Sequence, residues 1–136
     1  EAADRGWTTE NMNALYQVGI AVSFAQWGLS APDAAYYSQS GVALATAAGT
    51  GANIRNIATQ QYIAAYPDGL RGWSIWRRTG FPAFSSGVGN GNSNRIALRW
   101  IYPATERTAN SANYTAAITS QFAGKDDIND QIWLIK

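Results

Sequence analysis

The chain of 136 residues contains no cysteine and no histidine, a single methionine, and few charged side chains. Without cysteine there is no disulfide framework, no thiolate metal site and no thiol redox chemistry. Without histidine, the Ser-His pair, the imidazole general base and the commonest metal ligand are all missing. Ten basic residues face nine acidic ones, a net charge of +1. That balance lacks the basic excess of a nucleic-acid binder, so nucleic acid is not an expected partner. Charged residues make up 14% of the chain, well under the usual quarter. No apolar run reaches the roughly 18–20 residues of a membrane-spanning helix. The longest, "VGIAVSFAQWG" from Val18 to Gly28, reads as an amphipathic helix. Only three glutamates occur, Glu1, Glu10 and Glu106, so a paired-carboxylate site is not legible. No cofactor is expected, and no catalytic constellation is legible.

What is plentiful is aromatic: 12% of the residues, six of them Trp. The length suits one domain that can bury a core without staples. The opening "EAADRGW" shows no leader pattern and no initiator Met, and it reads as the tail of a helix ending at Gly6. It suits a mature form or an excerpt of a longer protein. Thr8 or Thr9 is then expected to cap a helix whose inward positions are Met12, Leu15, Tyr16, Ile20, Val22, Phe24 and Trp27, with Gly28 as its stop. Ser30, Pro32 and Asp33 predict the start of a short helix carrying Tyr36 and Tyr37. Residues 40–51 read as a loop. A further helix is expected from Asn53 to Tyr66, broken by "YPDG", and another from Leu70 to Thr79, ended by Gly80 and Pro82. After a Gly/Ser/Asn loop (83–94), "RIALRWIY" alternates. Ile96, Leu98, Trp100 and Tyr102 share one face, which predicts a short strand or hairpin near 95–102. Asn110 or Ser111 caps a last helix to Phe122, and "QIWLIK" closes the chain as a short apolar segment. The fold class is therefore mainly α, with long loops and that one strand.

Three stretches resemble chemical motifs. "GVGNGN" lacks the third glycine of a dinucleotide loop, because position 92 is Asn92, and a strand pattern follows it where a helix should. "DDIND" (126–130) has acids at calcium-loop spacing but Ile132 where the loop needs Gly, and no closing Glu. It is read as a solvated turn with local caps. "GWSIWRRTGFP" (72–82) puts Trp73 and Trp76 on one helical face, which reads as core, with Arg77 and Arg78 beside the helix's C-terminal carbonyls. Arg77 or Arg78 is expected to pair with an acid such as Glu106.

"IATQQYIAAYPDGLRGWSIWRRTGFP", a variable Gly/Asn loop, "RIALRWIYPATE" and "NSANYTAAI" follow one another in the chain. This ordered set resembles the C-terminal region of SusD/RagB-like outer-membrane lipoproteins of Bacteroidetes. The matching positions are Ile57, Thr59, Gln60, Ile63 and Ala64, then Trp73 and Trp76 to Pro82, then Arg95, Tyr102, Pro103, Glu106, Asn110 and Asn113. The chain lacks the family's lipid-attachment Cys and most of its helical body, and "RIALRW" stands where a tighter Arg pair is usual. The resemblance implies that residues 1–136 are one segment, the C-terminal part of a helical, TPR-associated SusD-like domain. It further implies a surface-exposed, lipid-anchored protein of the outer membrane. Such a protein hands an oligosaccharide or peptide to a SusC-like TonB-dependent transporter without catalysis. An alternative is a structural segment that packs on the rest of the parent chain or on the transporter, with the ligand met elsewhere. The resemblance carries no ligand residues into the matched motifs. From the residues alone, the candidates for ligand contact are the aromatics beside polar loops, Tyr37, Phe84 and Trp100, with Arg99 as a polar partner; packing is the competing role for each.

Overall fold

A computed structural model describes residues 1–45 and 51–132 of the chain. Part of the loop expected at 40–51, and Trp133 with the rest of the closing segment, lie outside the described residues. The chain divides into two compact units, residues 1–83 and 84–136. Among the described residues the elements are helical: α1 (Met12–Gln26), α2 (Ala34–Tyr37), α3 (Ile54–Ala64), α4 (Gly69–Thr79), α5 (Ala104–Ala109) and α6 (Ser111–Phe122). None of these helices is long and apolar enough to cross a membrane.

Local chemistry sets the ends of the helices in the first unit. Asn11, rather than a threonine, caps α1: its Oδ1 accepts the Ala14 N–H at 3.0 Å, satisfying one of the donors that a helix start leaves over. At the other end Gly28 takes φ +71°. This lets the Gly28 N–H reach the Ala25 carbonyl and the Leu29 N–H reach that of Phe24, the paired bonds of a Schellman stop. The short α2 is capped by Asp33, not Ser30, through a 3.1 Å bond from the Tyr36 N–H. Asp68 caps α4 in the same way, accepting from the Arg71 N–H at 3.0 Å. Gly80 ends α4 at φ +75°, its N–H on the Trp76 carbonyl.

The core of the first unit gathers Ala3, Ile20, Val42, Ile57, Ala58 and Ala65, all buried. α3 packs on α4 and, less extensively, on α1. Gly72 makes the α3–α4 approach possible, since a Cβ there would sit 3.0 Å from the Tyr62 ring. Residues 2–6 form turns, not the helix end expected. Their Asp4 is fully buried and accepts the Asn53 side-chain amide at 2.8 Å. Asn53 in turn accepts the Ala45 N–H at 2.6 Å. Its side chain is thus spent on tertiary bonds, and α3 starts without a side-chain cap.

Arg78 pairs with an acid, as expected of this arginine pair, but the acid is Glu1, which it grips with both Nη atoms, Nη2 to Oε2 at 2.8 Å; Arg77 stacks over the Trp73 ring at 4.3 Å. Glu106 instead accepts from the Asn110 side chain at 2.9 Å. The strand expected at 95–102 is also absent. That stretch is irregular, bends at Arg99, and sends two successive N–H groups, of Leu98 and Arg99, to the single carbonyl of Ile128. Two donors on one carbonyl is the pairing of a β-bulge, and among the described residues no ladder extends from it on either side.

Candidate functional site

The four residues singled out from the sequence are divided between the two units. Tyr37 belongs to the first unit; Phe84, Arg99 and Trp100 belong to the second. On α2, the Tyr37 ring meets that of Tyr36 edge-on at 5.7 Å, and its hydroxyl donates to the Gln17 carbonyl at 3.4 Å. Trp100 is 77% exposed and Phe84 45% exposed. Arg99 is the surprise: it is only 6% exposed, and its guanidinium is engaged in the interior of its unit.

The reason lies in "DDIND". Asp126, read as part of a solvated turn, is half-buried as a residue, but its side chain turns inward and is only 3% exposed. Its Oδ1 accepts Arg99 Nη1 at 2.7 Å. Its Oδ2 accepts the Tyr102 N–H at 3.2 Å and the Tyr114 hydroxyl at 3.3 Å, with Arg107 Nη2 at 3.6 Å. The Arg99 guanidinium also donates to the Asp127 carbonyl at 3.2 Å and stacks over the Phe122 ring at 4.1 Å. Burial by itself would raise the Asp126 pKa; the Arg99 hydrogen bond and charge, then the Tyr102 and Tyr114 donors, outweigh it and hold the carboxyl below its usual value. Asp127 and Asn129 do form the local caps expected, the Asn129 N–H donating to Asp127 Oδ1 at 2.8 Å. That bond, then the Asn129 side chain, lowers the Asp127 pKa. Among the described residues no cluster of acids is arranged to hold a metal ion.

The first unit carries a feature that the sequence did not announce. A groove of about 330 Å³ runs between α1 and α3, floored by Gly19, Ile20 and Ile57 and flanked by Leu15, Phe24 and Ile63. Leu15, Val22 and Trp27, expected inside, are each more than half exposed, as are Val18 and Ile63; of α1 only Ile20 is buried. The polar members of the lining are few. Tyr16 donates its hydroxyl to the Val42 carbonyl at 2.8 Å. Burial, then neighbouring Tyr36 and Tyr37, push its pKa up to about 12. Gln60 accepts from the Tyr36 hydroxyl at 3.0 Å. At one edge Glu1 is held by Arg78, whose hydrogen bond lowers its pKa against the opposing effect of burial. The periodicity of α1 gave the right helix. It could not say which of its apolar sides faces this unit, because α1 is apolar on more than one side.

A sequence model of the SusD-like family described as "starch-binding associating with outer membrane" matches residues 1–103. Among solved structures, the chain is similar to a SusD homologue from Bacteroides fragilis, with 26% identity and a TM-score of 0.82, covering 99% of this chain and 32% of that one. A second SusD homologue from Bacteroides fragilis is 33% identical with a TM-score of 0.75, covering 97% and 31%. A chitin-binding protein is 27% identical with a TM-score of 0.76, covering 98% and 30%. The chain thus spans about a third of the length of the structures it matches. The comparison with curated proteins gives no match.

Proposed function

Because the chain belongs to the SusD-like family of starch-binding proteins associating with the outer membrane, we propose that it is part of a non-catalytic glycan-binding protein of that membrane. The observation that carries the reading is the family match over residues 1–103, which takes in the whole first unit and the start of the second. In this reading residues 1–136 are the C-terminal part of one SusD-like domain, held at the cell surface by a lipid anchor elsewhere in the polypeptide. The protein captures an oligosaccharide, or in a variant of the reading a peptide, and presents it to a SusC-like TonB-dependent transporter. Similarity to a chitin-binding protein adds β-linked aminosugars to starch-type glucans as candidate ligands. Within the chain, exposed Trp100 and Phe84 are the proposed sugar-stacking surfaces, with Tyr37 as a further candidate. Arg99 changes role: it anchors the segment that displays Trp100.

Calorimetric titration of the full-length protein with maltoheptaose, chitohexaose and a mixed peptide pool tests this. Binding of one glycan, weakened about fivefold or more by Trp100→Ala or Phe84→Ala, is the expected result. Absence of glycan binding would sink the functional reading; binding untouched by both substitutions would remove this chain from the ligand site. Prolonged incubation with the bound glycan should release no new reducing ends. A second reading is favoured by the exposed apolar side of α1: the first unit then serves chiefly as a packing surface, and the ligand is met elsewhere.

A further inference from the structure

We propose that Asn90 is a site of self-modification: its side-chain amide converts to aspartate and isoaspartate through a cyclic imide with Gly91, and the conversion opens the loop of residues 86–95. The proposal is independent of glycan binding. Of the asparagines in the chain, only Asn90 is followed by glycine. Imide closure needs the nitrogen of the next residue to reach the asparagine Cγ, and a Cβ on that residue obstructs the approach. Gly91 has no Cβ, stands exposed and takes φ +73°. Nothing lies within 4 Å of the place where a Cβ would point, so water also has access. Its N–H donates to no described residue, which leaves the nucleophile free.

The amide it attacks is held in place. Asn90 Oδ1 accepts the Asn92 N–H at 2.9 Å and the Asn94 N–H at 3.1 Å. The first of these bonds closes a ring of atoms through the Gly91 peptide and folds the amide back toward it. Two donors on one oxygen steady the negative charge that gathers there as the Gly91 nitrogen adds to Cγ. The N–Cγ bond forms and the Cγ–Nδ2 bond breaks. Nδ2 leaves as ammonia, carrying the proton that the Gly91 nitrogen gives up. Water then opens the imide at either carbonyl. Attack at Cγ yields aspartate on an ordinary backbone; attack at the main-chain carbon yields isoaspartate, whose backbone runs through the former side chain.

Neither product keeps the loop as it is. Asn90 Nδ2 donates to the Arg95 carbonyl at 3.0 Å, and a carboxylate in its place sets acceptor against acceptor. Isoaspartate also lengthens the backbone inside the ring that Oδ1 now closes. The loop is tied to the rest of its unit by a reciprocal amide pair, Asn92 with Asn129, at 2.8 and 2.7 Å. Slack at position 90 is therefore passed to the segment that carries Asp126.

The test ages the full-length protein at mildly alkaline pH beside a synthetic peptide of residues 86–95, which serves as the clock. Mass-spectrometric mapping and enzymatic isoaspartyl methylation follow both. Asn90 should convert at least about tenfold faster than any other asparagine, since only there does no Cβ obstruct the attack. Amide hydrogen exchange across residues 86–95 should rise at least about fivefold in the converted fraction. Aged Asn90→Ala protein should give no methylation in this loop and no change of exchange with age. An intact Asn90 after the peptide has fully converted overturns the proposal, as does conversion spread evenly over the asparagines. Conversion that leaves the exchange of 86–95 unchanged overturns the opening of the loop. If Asn90→Ala loosens the loop from the start, the time course of the unmodified protein decides by itself.

Discussion

Two carboxylate oxygens of Asp126 serve Arg99, the Tyr102 N–H, Tyr114 and, at longer range, Arg107. A buried acid with that many donors contributes little net stability when intact, since desolvation offsets most of the attraction, but removing one partner strands the other. Asp126→Ala is therefore expected to destabilise the second unit by about 3–5 kcal/mol, read by chemical denaturation. A combined Arg99→Met and Asp126→Leu change should recover much of that loss. Recovery no better than the single variant would show that hydrogen-bond geometry, not the stranded charge, sets the cost. The acid limb follows from the direction of the shift. The folded pKa of Asp126 lies below the ordinary carboxyl value of 3.8, so its contribution is complete above about pH 4 and fades as pH falls through the folded value. Asp126→Asn should flatten that part of the acid unfolding curve.

At the scale of elements, the helices with strong end signals were legible before the fold was known. α4 ends at Gly80 and α1 stops at Gly28, both as local chemistry demands. The failures have physical causes. α5 was overlooked because its six residues, "ATERTA", are too few to show a period and their Pro103 start carries no side-chain cap. The alternation at 95–102 was real, but the pull of Asp126 on Arg99 bends the segment and turns Arg99 inward while Trp100 faces out. The surroundings of the candidate residues were less legible than the helices. Arg99 was named as a polar partner of the aromatics, and no local pattern reveals its own partner 27 residues away. One helix end offers a direct check. Ala123 closes α6 in the left-handed region, at φ +51°, where a Cβ is strained. Ala123→Gly should stabilise the second unit by about 0.5–1 kcal/mol in denaturant titration; a loss of stability would mean that the Ala123 methyl packs usefully.

For the whole molecule, the lack of histidine and cysteine has a measurable outcome. No side chain has an ordinary pKa between about pH 5 and 8. The resolved shifts carry Glu1, Asp126 and Asp127 further down and Tyr16 further up. Thermal unfolding should thus be nearly independent of pH from about 5.5 to 8, and a step near pH 6.5 in calorimetry would contradict it. The two units also differ in when they can be completed during synthesis. The clasp of the first joins Glu1 to Arg78; that of the second waits for Asp126 to join Arg99, and 126 − 78 leaves 48 residues between the two closing events. At about 5–20 residues per second a ribosome needs roughly 2–10 s to cover that distance. For those seconds a nascent chain holds both partners of its first clasp while the Arg99 guanidinium still waits for its carboxylate.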